Sequence, residues 1–425
     1  MDQSLNIPNS EYPRIVIIGA GFAGLSLAKK FKRKDFQVVL VDKNNYHQFQ
    51  PLYYQVAMAG LEPSSISFPL RKVFQDCKNV FIRCAELSSV DTDNKCIYTT
   101  EGTLDYDQLI IATGVGTNFY GNKNIEKSAF TLKTVSDAIQ LRNEMLDDFE
   151  KAVLTKDFLE RQGYIDTVIV GGGPTGVELA GALAEMKKYI LPKDYKELDH
   201  EEVDIYLIQS GNCILPGMSE KSQKASLKYL QQLGVTVLLN NRVTDYDGEF
   251  VHTNTGEKIK ANKLIWAAGV AGTQIKGLEG RYGRANRLVV NDLSQVEGLV
   301  DVYAVGDAAI MTNESDYGHP QVAQVAIQQA NNLAKNIIKN KQQAFKYKDL
   351  GSMATIGRNK AVCDFPRFSM KGFVAWLIWL LVHLMAILGV KNKLFVIINW
   401  FWNYVTYDQS LRLIIKPKPQ RPIEK

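Results

Sequence analysis

The sequence predicts an α/β fold in which two strand–turn–helix units of one kind precede a hairpin of apolar helices. Three stretches carry this reading: "RIVIIGAGFAGLSLAKKF" from Arg14, its counterpart "IDTVIVGGGPTGVELAGALAEM" from Ile165, and the charge-free "GFVAWLIWLLVHLMAILGV" from Gly372 to Val390. At 425 residues the chain exceeds one ordinary core, so two or three domains are expected. With 46% hydrophobic and 22% charged residues it has the composition of a globular protein rather than a disordered or fibrous one.

The first stretch places a β-branched strand, Arg14 to Ile18, directly before Gly19, Gly21 and Gly24, and helical periodicity follows. A second strand, "FQVVLVD", ends in Asp42, 18 residues after Gly24. Strand, glycines, helix and acid together form a dinucleotide-binding arrangement. Gly19 permits the tight turn, Gly21 lets the backbone approach a pyrophosphate, and Gly24 lets helix and strand pack closely. The helix N-terminus, through Phe22 and Ala23, offers amides and a positive dipole end to phosphate, while Asp42 accepts from a ribose hydroxyl.

The second stretch repeats the device. Strand Thr167 to Val170 leads into Gly171, Gly173, Pro174, Thr175 and Gly176, and a helix runs to about Tyr189. Two fingerprints imply two dinucleotides. The matching second strand, "VDIYLIQS", ends in Gln209 where an acid is usual, and an acid there repels a 2′-phosphate. Gln209 therefore weakens the case for a strict preference of NADH over NADPH. Strand ends at "LIIATG" (Leu109 to Gly114) and "LIWAAG" (Leu264 to Gly269) finish in small residues suited to passing a cofactor. "GLVDVYAVGDAA" (Gly298 to Ala309) returns the chain to the first domain, with Asp307 near the ribityl and phosphate part of a flavin.

The order of these elements resembles the two-dinucleotide-binding-domain flavoproteins, and more closely the type II NADH dehydrogenases, single-subunit non-pumping NADH:quinone oxidoreductases. The resemblance runs from Ile15 to about Pro417 and rests on "FQPLYYQVAMAGLEPSSISFPLR" (Phe49 to Arg71), "GGGPTGVELAG" (Gly171 to Gly181), "AQVAIQQA" (Ala323 to Ala330) and the apolar, basic tail. It implies two Rossmann-like dinucleotide-binding domains arranged as in glutathione reductase, plus a C-terminal amphipathic helical hairpin that anchors to a membrane. It further implies that Gly19, Gly21, Ala23, Asp42, Lys43, Ala85 and Asp307 line FAD. Gln324 is placed where the flavin meets quinone, with Gln328 beside it on one helix face. Glu178 matches an acid kept beside nicotinamide and flavin; read from its position alone, it is a first-turn glutamate stabilised by the helix dipole. On spacing alone Gln324 and Gln328 fit either quinone donors or a solvated polar face of a helix from Gln321 to Lys339. Gly269 would border NADH. The five cysteines (Cys77, Cys84, Cys96, Cys213, Cys363) show no metal or dithiol spacing, so redox chemistry falls to the cofactor. In this reading the dihydronicotinamide stacks on the flavin and passes a hydride, and the reduced flavin then gives two electrons to quinone. Rival readings are a sulfide:quinone oxidoreductase, which would need placed cysteines, and a redox-sensing flavoprotein with NADH as ligand.

The expected layout is an FAD domain at residues 1–118 and 285–345, a nicotinamide domain at 119–284, and a membrane region at 346–425. That last region holds 13 Lys/Arg against 4 Asp/Glu, a net of +9 that leaves −4 for the rest of the chain. A basic tail this apolar suits an anionic membrane surface rather than nucleic acid. Gly372 to Val390 is long enough to span a bilayer by length alone. Against a span, "LFVIINWFWNYV" from Leu394 is too short to return, and Lys391 and Lys393 would lie on the far side. Trp376, Trp379 and His383 form one ring-bearing face suited to an interface. The expectation is a hairpin lying in one leaflet; the alternative is a buried hairpin that packs on the body or on a second subunit, and a homodimer is the expected assembly. Trp400, Trp402, Tyr404 and Tyr407 would sit at headgroup depth, with Arg412, Lys416, Lys418 and Arg421 on lipid phosphate. The polar start, Met1 to Arg14, shows no secretory signal, so the expected location is peripheral on the cytoplasmic face of the inner (plasma) membrane.

Overall fold

The fold comes from a computed structural model that describes residues 4–313, 315–409 and 411–415. Along the chain the principal elements are β1 (Arg14–Ile18), α1 (Phe22–Lys30), β2 (Gln37–Asp42), α2 (Tyr53–Ala57), β3 (Val80–Cys84), β4 (Gln108–Ile111), β5 (Thr167–Val170), α3 (Pro174–Tyr189), β6 (Ile205–Gln209), β7 (Val235–Leu239), β8 (Lys263–Trp266), β9 (Val302–Ala304) and α4 (Ala323–Lys339). The last part holds β10 (Ser352–Thr355), β11 (Ala361–Phe365), β12 (Phe368–Lys371), α5 (Phe373–Ala386) and α6 (Val390–Thr406). The chain divides into two compact units: residues 1–48, 67–116 and 270–350 in one, and 49–66, 117–269 and 351–425 in the other.

The first unit is built on a parallel sheet in the order β9-β4-β1-β2-β3. Its β-branched strands are buried on both faces, with Ile15, Val16, Ile17, Val38, Val39, Leu40 and Ile110 fully enclosed. Continuous apolar runs of this kind mark parallel strands covered by helices. Gln37 and Arg14 close the polar end of the sheet: Arg14 Nε donates to Gln37 Oε1 at 2.6 Å.

The second unit repeats the topology with β7-β6-β5-β8, again all parallel. Lys263, fully buried on β8, is paired with Asp148 at 2.8 Å, so its ammonium is neutralised inside this core rather than left alone. Residues 49–66, which the fingerprint layout places with the FAD domain, pack in this unit through α2. The tail packs here too.

Ahead of the hairpin, β10 and β11 pair antiparallel and β12 adds a third strand. The rest of the tail differs from expectation in three respects. Gly372 to Val390 is not one helix: α5 stops at Ala386, where Ile387 takes extended backbone, leaving 14 residues or about 21 Å. α6 begins at Val390, so Lys391 and Lys393 belong to its first turn rather than to a connection. No helix among the described residues is long and apolar enough to cross a membrane. Finally, the ring-bearing face of α5 points into the unit: Trp379 is 1% exposed and stacks on His383 at 4.0 Å, while Phe373, Val374, Leu377, Leu381, Val382 and Met385 face out.

Candidate active site

The two glycine turns solve one steric problem in the same way. Gly19 has φ +97° and Gly171 φ +112°, a region closed to most side chains. A Cβ on Gly24 would lie 1.8 Å from the Gly19 carbonyl oxygen, and one on Gly176 would lie 2.0 Å from that of Gly171. Each helix can therefore pack on its strand only with glycine there. At Gly21 and Gly173 an added Cβ would meet nothing within 4 Å. These two positions open onto free space in front of a helix N-terminus, the cradle a pyrophosphate needs.

The acceptors at the ends of β2 and β6 are matched as well. Asp42 Oδ2 accepts from the Ala20 N–H at 2.6 Å and Oδ1 from the Asn44 N–H at 2.7 Å. Gln209 Oε1 accepts from the Gly172 N–H at 2.9 Å, the equivalent turn position. Burial raises the Asp42 carboxyl above the usual carboxylate range, and the two amide donors oppose that. Because the Gln209 oxygen is committed to the turn, the side chain presents its NH₂ group, a donor where Asp42 presents charge.

Within the first unit the predicted flavin residues gather in two groups. Ala85 N–H donates to the Asp42 carbonyl at 3.0 Å, and Lys43 is the next residue, so Asp42, Lys43 and Ala85 share one strand end. Gly306 (φ +69°) is the contact point of α1 and α4: its Cβ would lie 3.1 Å from Ala326 and 3.4 Å from Ala23. Asp307 follows it, and its carbonyl accepts from Arg287 Nε at 3.1 Å. The buried Gln329 amide takes the Gly306 N–H at 2.7 Å. The sequence does not single out Gln329, because α4 carries so many amides; only its position on the buried face distinguishes it. His47 was missed likewise: it is buried behind the turn, its Nδ1 on the Ala20 carbonyl at 2.8 Å and Phe22 at its edge.

α4 starts at Ala323, after Val322, rather than at Gln321. Gln324 Oε1 accepts from the Leu350 N–H at 3.0 Å, and the Gln328 amide both donates to and accepts from the Lys348 backbone, at 2.9 and 3.0 Å. Both amides thus brace the segment that follows the helix.

In the second unit Glu178 lies one turn into α3 and is 7% exposed. Its Oε1 accepts from the Thr355 N–H and from Trp379 Nε1–H, both at 3.3 Å. Burial pushes the carboxyl up to about 8, against the pull of those donors. At pH 7 it is therefore protonated. A cavity of about 120 Å³ adjoins it, walled by Tyr54, Trp376, Trp400 and Tyr404, with Glu185 and Arg358 also on its lining. Gly269, at the end of β8, lies under Tyr120, whose hydroxyl occupies the space of a side chain there. No disulfide joins the five cysteines, and no cluster of metal-ligating side chains occurs among the described residues.

The model of the pyridine nucleotide-disulphide oxidoreductases matches residues 13–330, and that of the NDH2 C-terminal domain matches residues 350–406. The type II NADH:quinone oxidoreductase Ndh of Mycobacterium tuberculosis is 34% identical over 418 residues, covering 92% of this chain and 89% of that protein. The internal alternative NAD(P)H-ubiquinone oxidoreductase A1 of Arabidopsis thaliana is 27% identical, covering 93% and 84%. Among solved structures, NDH2 from Plasmodium falciparum in complex with NADH has the same fold, with a TM-score of 0.88 at 23% identity over 96% of this chain and 100% of that one. Two glycine turns of one design, a buried acid after the second and a matched C-terminal domain leave one assignment: the chain belongs to the pyridine nucleotide-disulphide oxidoreductase family and, within it, to the type II NADH:quinone oxidoreductases.

Proposed function

We infer that the protein oxidises NADH with a bound FAD and passes the two electrons to a membrane quinone, without pumping protons. The observation that carries this is the pair of complete turns in one chain, each with open space at its middle glycine and a strand-end acceptor on its second residue. The cradle at Gly21, with Asp42 for a ribose and the Gly306–Asp307 corner beside α1, fits FAD; the cradle at Gly173 fits NADH. Bound FAD supplies the capacity to take two electrons from NADH and release them to quinone.

What the chain contributes is placement and proton control. The first turns of α1 and α3 hold the two pyrophosphates by amides and dipole. Pro174, with no N–H, occupies the first helical position, where none is needed. Thr175, Gly176 and Gly269 border the second cradle. Gln209 meets the NADH ribose with a neutral amide, so a 2′-phosphate encounters no repulsion and NADPH is also accepted. Glu178, whose carboxyl burial raises to about 8, holds a proton at pH 7 and serves as the acid of the NADH half-reaction, beside nicotinamide and flavin. Gln324 and Gln328 lie on one face of α4 and offer hydrogen bonds to quinone without placing charge beside lipid.

Attachment to the membrane falls to α5 and α6. Leu377, Leu381 and Met385 on one helix, with Phe395, Ile398, Phe401 and Trp402 on the other, give an apolar outer surface. Trp400 does not join it: its Nε1–H donates to Gln55 at 2.7 Å. Tyr404 and Tyr407 flank the Arg358 guanidinium. Arg412 is tied to Asp194, and Lys416, Lys418 and Arg421 lie outside the described residues. The hairpin lies in one leaflet on the cytoplasmic face, and the protein acts as a homodimer. The test is anaerobic: NADH should bleach the flavin, a short-chain quinone should restore it, and sealed vesicles should show no pH gradient from turnover alone. A flavin that NADH bleaches and quinone fails to reoxidise would refute the assignment.

A further inference from the structure

Four elements of the second unit close around one carboxyl. α3 brings Glu178, β10 brings the Thr355 N–H, α2 brings Tyr54, and α5, the first helix of the hairpin, brings Trp379. The indole is nearly enclosed, its ring stacked on His383 at an interplanar angle of 23°. His383 Nδ1–H in turn donates to the Trp379 carbonyl at 2.8 Å. The pair forms a rigid peg, and the opposite side of the same helix is the bare aliphatic surface of Leu377, Leu381 and Met385. An indole N–H can only donate, so its buried end requires an acceptor, and Glu178 Oε1 is that acceptor.

We propose that Trp379 is a positioning residue for Glu178, reaching from the membrane-facing hairpin to hold the acid of the NADH half-reaction. The proposal rests on the reading that Glu178 acts in that half-reaction. It makes the seating of the hairpin a condition of the acid's state, so that the anchor is also part of the redox site. An N–H donor favours the ionised carboxyl over the neutral one. The other groups facing Glu178 do not replace it. Tyr54 is pushed above its ordinary value and His383 down to about 4, so both are neutral at pH 7. Glu185, two turns further along α3, is engaged by the Arg358 N–H and lies near the Arg358 and Lys360 charges.

The experiment is stopped-flow bleaching of the flavin by NADH in the holoenzyme, without oxygen, across pH 5 to 10 for wild type, W379F, H383A and E178Q. W379F keeps a ring and loses the donor, and its midpoint is expected about half to one pH unit above wild type. H383A, which only loosens the peg, shifts the midpoint the same way by less. E178Q loses that midpoint altogether. A W379F profile that superimposes on wild type while E178Q loses the midpoint overturns the proposal and leaves the role of Glu178 standing. If E178Q keeps the wild-type profile, the reading of Glu178 fails and the proposal with it. Flavin content reports folding, and should W379F lose its flavin, H383A decides the same question.

Discussion

Glu178 sets a stability test whose size follows from its burial. In the unfolded chain this carboxyl titrates at 4.5; folded, it is pushed to about 8. Between those values the folded protein holds a proton that the unfolded chain has released, so stability falls as pH rises through the interval. At pH 7 the difference spans about 2.5 units, worth about 3 kcal/mol at 1.36 kcal/mol per unit. Glu178→Gln keeps an oxygen for Thr355 and Trp379 and titrates nowhere in this range. The variant should match wild type near pH 4.5, exceed it by about 3 kcal/mol at pH 7, and by about 5 kcal/mol once the wild-type acid is ionised. Thermal unfolding followed by flavin fluorescence reads this as a midpoint difference that widens from pH 5 to pH 8. A difference independent of pH, or a wild type more stable than the variant at pH 8, would refute the argument that desolvation governs this acid.

Three further outcomes are expected. Gln209→Glu should place a charge against a 2′-phosphate and lower kcat/KM for NADPH relative to NADH by at least about tenfold, measured in parallel with one short-chain quinone. Gly24→Val should yield protein without flavin, because its side chain would collide with the Gly19 carbonyl; Gly176→Val should retain flavin that NADH no longer bleaches. Leu381→Lys, on the outer face of α5, should weaken flotation with anionic vesicles about tenfold or more while sparing turnover with a water-soluble quinone, since a buried leucine contributes about 1.5–3 kcal/mol.

Much of this was legible from residue order because steric rules leave few choices. A glycine at 19 or 171 is demanded by positive φ, and one at 24 or 176 by a carbonyl 2 Å away, so the pattern on the page is the pattern in space. The end of a strand fixes the partner in the same way: Asp42 and Gln209 both reach back to the turn. What the order could not reveal were contacts made across long separations by ordinary residue types. Gln329 holding Gly306, Thr355 holding Glu178 and His47 behind Ala20 each depend on which side of an element is buried, and α4, with amides on several faces, gives no sign of that.

The hairpin shows why a helical wheel read alone can put a face on the wrong side. Rings at 376, 379 and 383 look suited to a headgroup layer because tryptophan combines an apolar body with one polar atom. The same property suits the floor of an enzyme pocket, and the two uses differ only in what waits for the N–H. A lipid surface offers many weak, exchanging acceptors, whereas Glu178 offers one fixed acceptor that burial has made expensive to leave unpartnered. Once Trp379 turns inward, Leu377, Leu381 and Met385 must turn outward, and they need no polar partner at all. Purely aliphatic residues are better placed than tryptophan to enter the acyl layer, so burying the rings against the acid leaves the membrane surface more apolar, not less.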